Sequence, residues 1–432
     1  MKKHHRIITA ILLACWQPFV VWGQTSAPQH AASNAVAQSP DILTLETAIE
    51  QFLRRNLAVE AARAEVSVAE AERIGARLRP RPGLTVTGEN LAISGETPFN
   101  RLYEVGATVA QPIELGNRAG LRAEVADRAV TVAEARMSDV LQRRLFELKR
   151  AYYEAVLAGI NLSIEEENRS NFAELVRFNT VRFEEGYISQ GELIKVRLER
   201  VKFDSAVAKA VLALRQAKIK LLELLGENNY ERATTLDVRG TLEFRPVTIS
   251  LDGLRQMALT HRPEIKAAEA EIARATSSLR LERSRGKGEI TPFVGYKRIG
   301  VDNTVVAGVT VPLPLGNRNQ GGIARAEAEQ RLAETNAQLV RNRALAEVES
   351  VYRAYETARE QVRTYETELL RQADESREIT LAAYREGAAE LIALLDAQRT
   401  RAEVRANYYR ALFDYQMSLF QLEQATGVEI KL

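Results

Sequence analysis

The stretch IELGNRAG, Ile113 to Gly120, returns two hundred residues later as LPLGNRNQGG, Leu313 to Gly322. The tetrapeptide Leu-Gly-Asn-Arg stands at Leu115–Arg118 and again at Leu315–Arg318. Proline is strongly disfavoured inside helices. None falls between Ile113 and Arg245, and none after Leu315. Each copy of the tetrapeptide therefore opens a long region that is free to be helical.

Apolar spacing supports this. Leu141, Leu145, Leu148, Tyr152 and Val156 recur at steps of three or four, as do Leu345, Val348, Tyr352 and Tyr355, which is helical periodicity. Further landmarks repeat in the same order. RFEEG, ending at Gly186, matches YREG, ending at Gly387, and LLELLG at Gly226 matches LEQATG at Gly427. Leu43–Val66 resembles Ile249–Ile272. The chain thus reads as two tandem copies, 43–226 and 249–432, joined by a linker, 227–248, with a short strand expected near Thr241–Phe244. Each copy begins with a helix, about 43–79 and 250–284. Two short strands follow, within 84–110 and 290–311, where Leu84/Val86, Tyr103/Val105/Ala107/Val109 and Val305/Ala307/Val309/Val311 alternate. Then come a very long helix (117–185 and 317–386), a tip (186–190 and 387–390) and a last helix (191–226 and 391–426). A helix of about 68 residues is a rod of roughly 100 Å.

The bulk numbers exclude several classes. The chain has 432 residues, 59 basic and 57 acidic, so it lacks the basic excess of a nucleic-acid binder. Lys2, Lys3 and Arg6, the apolar Ile7–Ala14 and the small residue before Gln24 read as a secretory signal over 1–23, cleaved after Gly23. The rival is a lipoprotein site, Leu12-Leu13-Ala14-Cys15. With the signal removed, neither cysteine nor tryptophan remains, and there is no disulfide framework. Residues 24–42, rich in Ala, Ser, Gln and Pro, are expected to be a flexible arm. No later stretch reaches the ~18 apolar residues of a membrane helix. A β-barrel is the other spanning solution.

Four strands per chain cannot close a barrel, for which ~8 is the minimum, and left open they present unpaired edges. Several chains must pool their strands, and three would give twelve. The fold class expected is mainly α with a small β part: a long-helix α-barrel plus a shared transmembrane β-barrel.

VAQPIELGNRAGLRAEVA (Val109–Ala126), VTVPLPLGNRNQGGIARAEAE (Val309–Glu329), VRFEEGYISQGEL (Val181–Leu193) and AAYREGAAELIALLDAQR (Ala382–Arg399) resemble the TolC-like outer-membrane efflux channels over essentially the full mature length. More narrowly they resemble the heavy-metal branch, typified by the outer-membrane component of cobalt–zinc–cadmium efflux systems. The resemblance implies a homotrimer in the outer membrane of a Gram-negative bacterium, with a large periplasmic part. It implies docking onto a periplasmic adaptor and an inner-membrane, proton-driven pump. The docking tips would be Phe183, Gly186, Tyr187, Tyr384 and Gly387. Acidic residues near the second tip would ring a pore constriction. Asp396 is the main candidate, and Glu192 and Glu390 lie at similar depth. The chain departs from the family's best-known member at Ala389, where that member has a gate arginine, and at Ala393, where it has an aspartate.

Physical readings stand beside these. Gly186 and Gly387 end helices in a left-handed conformation. Gly116, Asn117, Arg118, Gly316, Asn317 and Arg318 are strand-to-helix corners, with Asn supplying a cap. Phe99, Tyr103, Phe293 and Tyr296 are the residues left for an aromatic belt. His30 and His261 stand apart from each other and from other ligand types, so the sequence predicts no metal site and no cofactor. No nucleophile–base pattern or phosphate loop suggests an enzyme. The competing readings are a channel for drugs or other organic solutes, and a periplasmic coiled-coil adaptor.

Overall fold

The computed structural model describes residues 41–91, 103–313 and 316–430. The expected signal, most of the expected arm, Phe99 and His30 lie outside the described residues. Asp41–Leu43 (β1) leads into α1 (Leu45–Arg55) and α2 (Leu57–Ala76), then β2 (Gly83–Glu89), β3 (Glu104–Ala110) and a two-residue β4 (Ile113–Glu114). Helix α3 runs unbroken over Arg118–Glu184, 67 residues. It is followed by α4 (Gln190–Leu224), a 3₁₀ turn (Tyr230–Thr234) and β5 (Leu236–Val238). The second half repeats the order: α5 (Leu251–His261), α6 (Pro263–Arg285), β6 (Glu289–Ile299), β7 (Asp302–Thr310), α7 (Gln320–Thr364), α8 (Leu370–Arg385) and α9 (Leu391–Thr426).

Each opening helix is two helices rather than the single one expected. The first breaks at Asn56, whose Oδ1 accepts from Ala58 and Val59 N–H while its Nδ2 donates to the Leu224 carbonyl at 2.8 Å. The second breaks at Arg262, because Pro263 occupies the first position of α6, where its missing N–H costs nothing. The second long helix differs from the expected 317–386 as well. It starts at Gln320, and a π turn at Tyr365–Leu369 divides it into α7 and α8. A π turn accommodates one extra residue. This accounts for the offset between copies, which is 200 at Leu148/Val348 and 201 at Gly186/Gly387.

The helices form two adjoining four-helix layers that share the two long helices, α3 and α7 continuing into α8. On the strand side α2, α3, α6 and α7 pack side by side; on the tip side α4, α3, α9 and α8 do so. The main core lies where these layers meet. Leu148, Tyr152, Leu221, Leu222, Val348, Tyr355, Tyr415 and Leu422 are all essentially buried there. The linker is strapped across this core by tyrosines. Tyr355 Oη donates to the Val247 carbonyl at 2.5 Å and Tyr415 Oη to the Arg245 carbonyl at 2.7 Å, and Tyr152 Oη donates to the Arg239 carbonyl. The strand expected near Thr241–Phe244 is coil, because Phe244 packs its ring against Tyr415. The linker's strand is β5, which pairs in parallel with β1. Residues 41 and 42, expected in the arm, are thus anchored, and Arg232 forms ion pairs with Asp41 and Glu227.

The sheet is antiparallel in the order β2-β3-β6-β7, with β4 pairing with β6 beyond the end of β3. The two copies meet in its middle, where β3 pairs with β6 from Glu104↔Ile299 to Ala110↔Phe293. The outer edges of this four-stranded sheet are β2 and β7.

Candidate functional site

The candidate residues fall in three regions: the faces of the sheet, the strand-to-helix corners and the helix tips.

Directly paired residues of adjacent strands share a face. Leu84 pairs with Val109, Val86 with Ala107, Val294 with Val109 and Ala307, and Tyr296 with Ala107 and Val305. One face is therefore almost wholly apolar. The other carries the pairs Thr85–Thr108, Glu89–Glu104, Lys297–Thr304 and Thr291–Thr310. The apolar face is bare: Leu84 and Val86 are each 69% exposed and Val305 79%, although on the edge strands β2 and β7 the polar face is open as well. Along β3 the opposite face is the better covered, with Gly106 buried and Glu104 and Thr108 half-buried. A soluble sheet buries its apolar face, and this one presents it outward, as a membrane barrel does. Phe293 pairs with Ala110 and Gly308 and lies on the polar face. It cannot join an outward aromatic belt, whereas Tyr296 lies on the apolar face.

The corners are built differently from the expected asparagine cap. Asn117 precedes α3 with φ of 57°, and its side chain makes no capping hydrogen bond. The left-handed backbone turns the side chain toward position 120, where any Cβ would approach Asn117 Oδ1 to 2.5 Å; Gly120 leaves that space free. Its structural counterpart is Asn319, not Asn317. Asn319 precedes α7 with φ of 63°, faces Gly322 in the same way, and donates from Nδ2 to the Glu282 carbonyl at 2.9 Å. Asn317 instead accepts from the Asn319 N–H. The repeated tetrapeptide is thus shifted by two residues relative to the repeated corner. Gly116, with φ of 73°, offers its carbonyl to Ser284 Oγ at 2.7 Å. Arg118 reaches across to the other copy and donates to the carbonyls of Gly288 at 2.6 Å and Arg285 at 2.9 Å, a cation on the C-terminal end of α6. At the second corner Arg318 N–H donates to Gln320 Oε1 at 3.0 Å, and Gln320 Nε2 donates to the Gly316 carbonyl at 3.0 Å.

At the tips, α3 and α8 end alike. Gly186 (φ 80°) and Gly387 (φ 77°) are left-handed. Tyr187 N–H bonds the Arg182 carbonyl at 2.7 Å and Ala388 N–H bonds that of Ala383 at 2.8 Å, satisfying otherwise orphaned carbonyls. The first tip exposes Phe183 (38%) and Tyr187 (72%). Tyr384 is not a surface residue of the second tip. It is 6% exposed, and its hydroxyl bonds buried Asn179 Oδ1 at 2.6 Å. It belongs to a small core with Phe172, Leu175, Val196 and Leu394 that ties α3, α4, α8 and α9 together. Helical phase, rather than nearness to the turn, points the ring inward.

Of the acidic candidates, Glu192 is engaged locally. It closes a capping box with Ser189, accepting from the Ser189 N–H at 3.0 Å. Glu390 precedes α9 without a side-chain cap. Asp396 is exposed and lines a cleft of about 680 Å³ with Glu165, Glu199, Lys202, Arg377 and Arg399. Deeper in, Glu167 of α3 pairs with Arg401 at 3.2 Å and Arg405 at 2.7 Å of α9, and Arg401 also holds Asp374 of α8. Burial opposes ionisation of Glu167, but its two guanidinium hydrogen bonds outweigh that and hold its pKa below the ordinary carboxylate value. The sequence carries no sign of this clasp, since Glu167 and its two arginines lie more than two hundred residues apart in the chain. Among the described residues, no three His, Cys, Asp or Glu side chains gather to hold a metal. No described helix is long and apolar enough to cross a membrane.

The family model described as outer membrane efflux protein matches residues 48–227 and 254–428. The cobalt-zinc-cadmium resistance protein CzcC of Cupriavidus metallidurans is 26% identical over 378 residues, 86% of each chain. The nickel and cobalt resistance protein CnrC of the same organism is 26% identical, over 74% of this chain and 72% of its own. Among solved structures, CusC superposes with a TM-score of 0.75 at 21% identity, covering 89% of this chain and 92% of that one. The CmeC outer membrane channel of Campylobacter jejuni gives 0.76 at 16% identity, covering 89% and 85%.

Proposed function

The chain belongs to the outer membrane efflux protein family, and from that premise we propose that three copies pool their sheets into one twelve-stranded barrel that passes divalent heavy-metal cations out of the cell. It is an outer-membrane efflux channel, not an enzyme, and most of its mass is helical and periplasmic. The observation that carries the reading is the sheet: one face apolar and bare, the other polar, with β2 and β7 left as edges. Four strands in this state need partners, and three chains supply a barrel wide enough for a passage.

The two four-helix layers continue that barrel as a conduit toward the pump. A tripartite assembly, with a periplasmic adaptor and a proton-driven inner-membrane pump, is the partner set we assign. The adaptor would meet the first tip through Phe183, Gly186 and Tyr187 and the second through Gly387, with Tyr384 holding the second tip from within. Asp396, exposed at the cleft, is the strongest candidate for a cation-attracting ring, with Glu390 second; Glu192 is the weakest, because it already serves as a helix cap. The metal cargo is supported by the similarity to CzcC and CnrC.

Disruption of the gene tests the cargo. Loss of tolerance to zinc, cobalt, cadmium or nickel, restored by the wild-type gene, is the expected result. Unchanged metal tolerance with a loss of drug tolerance would replace it with an organic-solute channel.

A further inference from the structure

We propose that Lys297 sets the charge selectivity of the barrel's far end. The proposal rests on the barrel reading above, which makes the polar face of the sheet the lumen wall. On that face, at the end of the strands remote from the helices, Glu89 and Glu104 stand directly opposite one another. Like charges in direct cross-strand register repel. Lys297, on the neighbouring strand β6, resolves the conflict. It sits opposite Gly106 and Thr304, and its ammonium forms ion pairs with Glu104 and, at 3.7 Å, with Glu89. Asn90 Nδ2 donates to Glu104 Oε1 at 3.1 Å and fixes that carboxylate further. Asp302 shares the face through its pairing with Ile299.

Among the described residues of these strands, each chain therefore carries three carboxylates and one ammonium at this level of the wall. Arg298 is next along β6 but points to the other face, where its Nε donates to the Gly300 carbonyl at 3.1 Å, so it does not cancel the excess. Rings of carboxylates favour cations in a pore, and here Lys297 moderates them. Lys297 is thus a specificity-determining residue: it keeps the mouth mildly rather than strongly cation-selective.

Full-length protein in planar bilayers, with the reversal potential read across a potassium chloride gradient, tests this. K297Q is expected to raise the potassium-to-chloride permeability ratio by about twofold or more, and E104Q to lower it. Unchanged ratios in both variants, with open channels of normal conductance, would overturn the proposal. Labelling of single-cysteine variants with a membrane-impermeant maleimide separates this from the barrel reading itself. Apart from the introduced residue the chain has only Cys15. T87C on the polar face should react through the pore and V86C on the apolar face should not. The reverse pattern would sink the lumen assignment, and with it this inference.

Discussion

Gly186 and Gly387 each take a left-handed φ, and nothing lies within 4 Å of the Cβ that alanine would add. The cost of Gly186→Ala or Gly387→Ala is therefore backbone strain alone, about 1 kcal/mol each. Thermal melts should show both destabilised, while Gly191→Ala, in a helical position where the new Cβ would meet only Ser189 Oγ at 3.8 Å, should be neutral or better. Glu167 offers a pH test. Its native pKa is held below the ordinary carboxylate value by its two arginines. The clasp therefore contributes stability above that ordinary value, and the contribution is lost as pH falls through the native pKa. Melting temperature should drop on acidification more steeply in the wild type than in E167Q; identical slopes would exclude the clasp. At this scale the sequence is legible where a residue's role is local. Gly186 and Gly387 end their helices through their own left-handed backbone, a role that needs no distant partner. The roles of Tyr384, Asn319 and Arg118 are not legible, because they depend on helical phase or on the other copy.

Among elements, the strands read best. Period-2 alternation reveals two faces, and the register shows which residues share each. A charge on the bare apolar face should be costly. Val86→Arg is expected to cost about 2–4 kcal/mol near the membrane midplane, whereas Thr87→Arg, one residue on, should be tolerated. The yield of heat-resistant assembled protein in outer-membrane fractions measures this, and equal yields would contradict the two-faced sheet. The helices are legible in kind but not in continuity. The break at Asn56 is a side-chain cap buried in the middle of an apolar pattern. The break at Arg262 has a signal in Pro263. The π turn at Tyr365–Leu369 leaves only a one-residue drift in the repeat, which two sequences of modest similarity do not localise. The pairing of β3 with β6, and of β1 with β5, joins segments about two hundred residues apart and has no local signature.

For the whole molecule, the repeat and a supply of four strands are written in the sequence and point to an assembly. The fold adds the reason: the open edges are β2 from the first copy and β7 from the second, so each chain offers unlike edges to its neighbours. Unlike edges make a head-to-tail contact, which closes into a ring when the rotation allows. Closure at three is the central claim, and cross-linking reads it most directly. With Thr85→Cys on β2 and Val306→Cys on β7 in one chain, a short bismaleimide applied to intact outer membranes should give a ladder that stops at three chains. A ladder that stays at one, or runs past three, would contradict it.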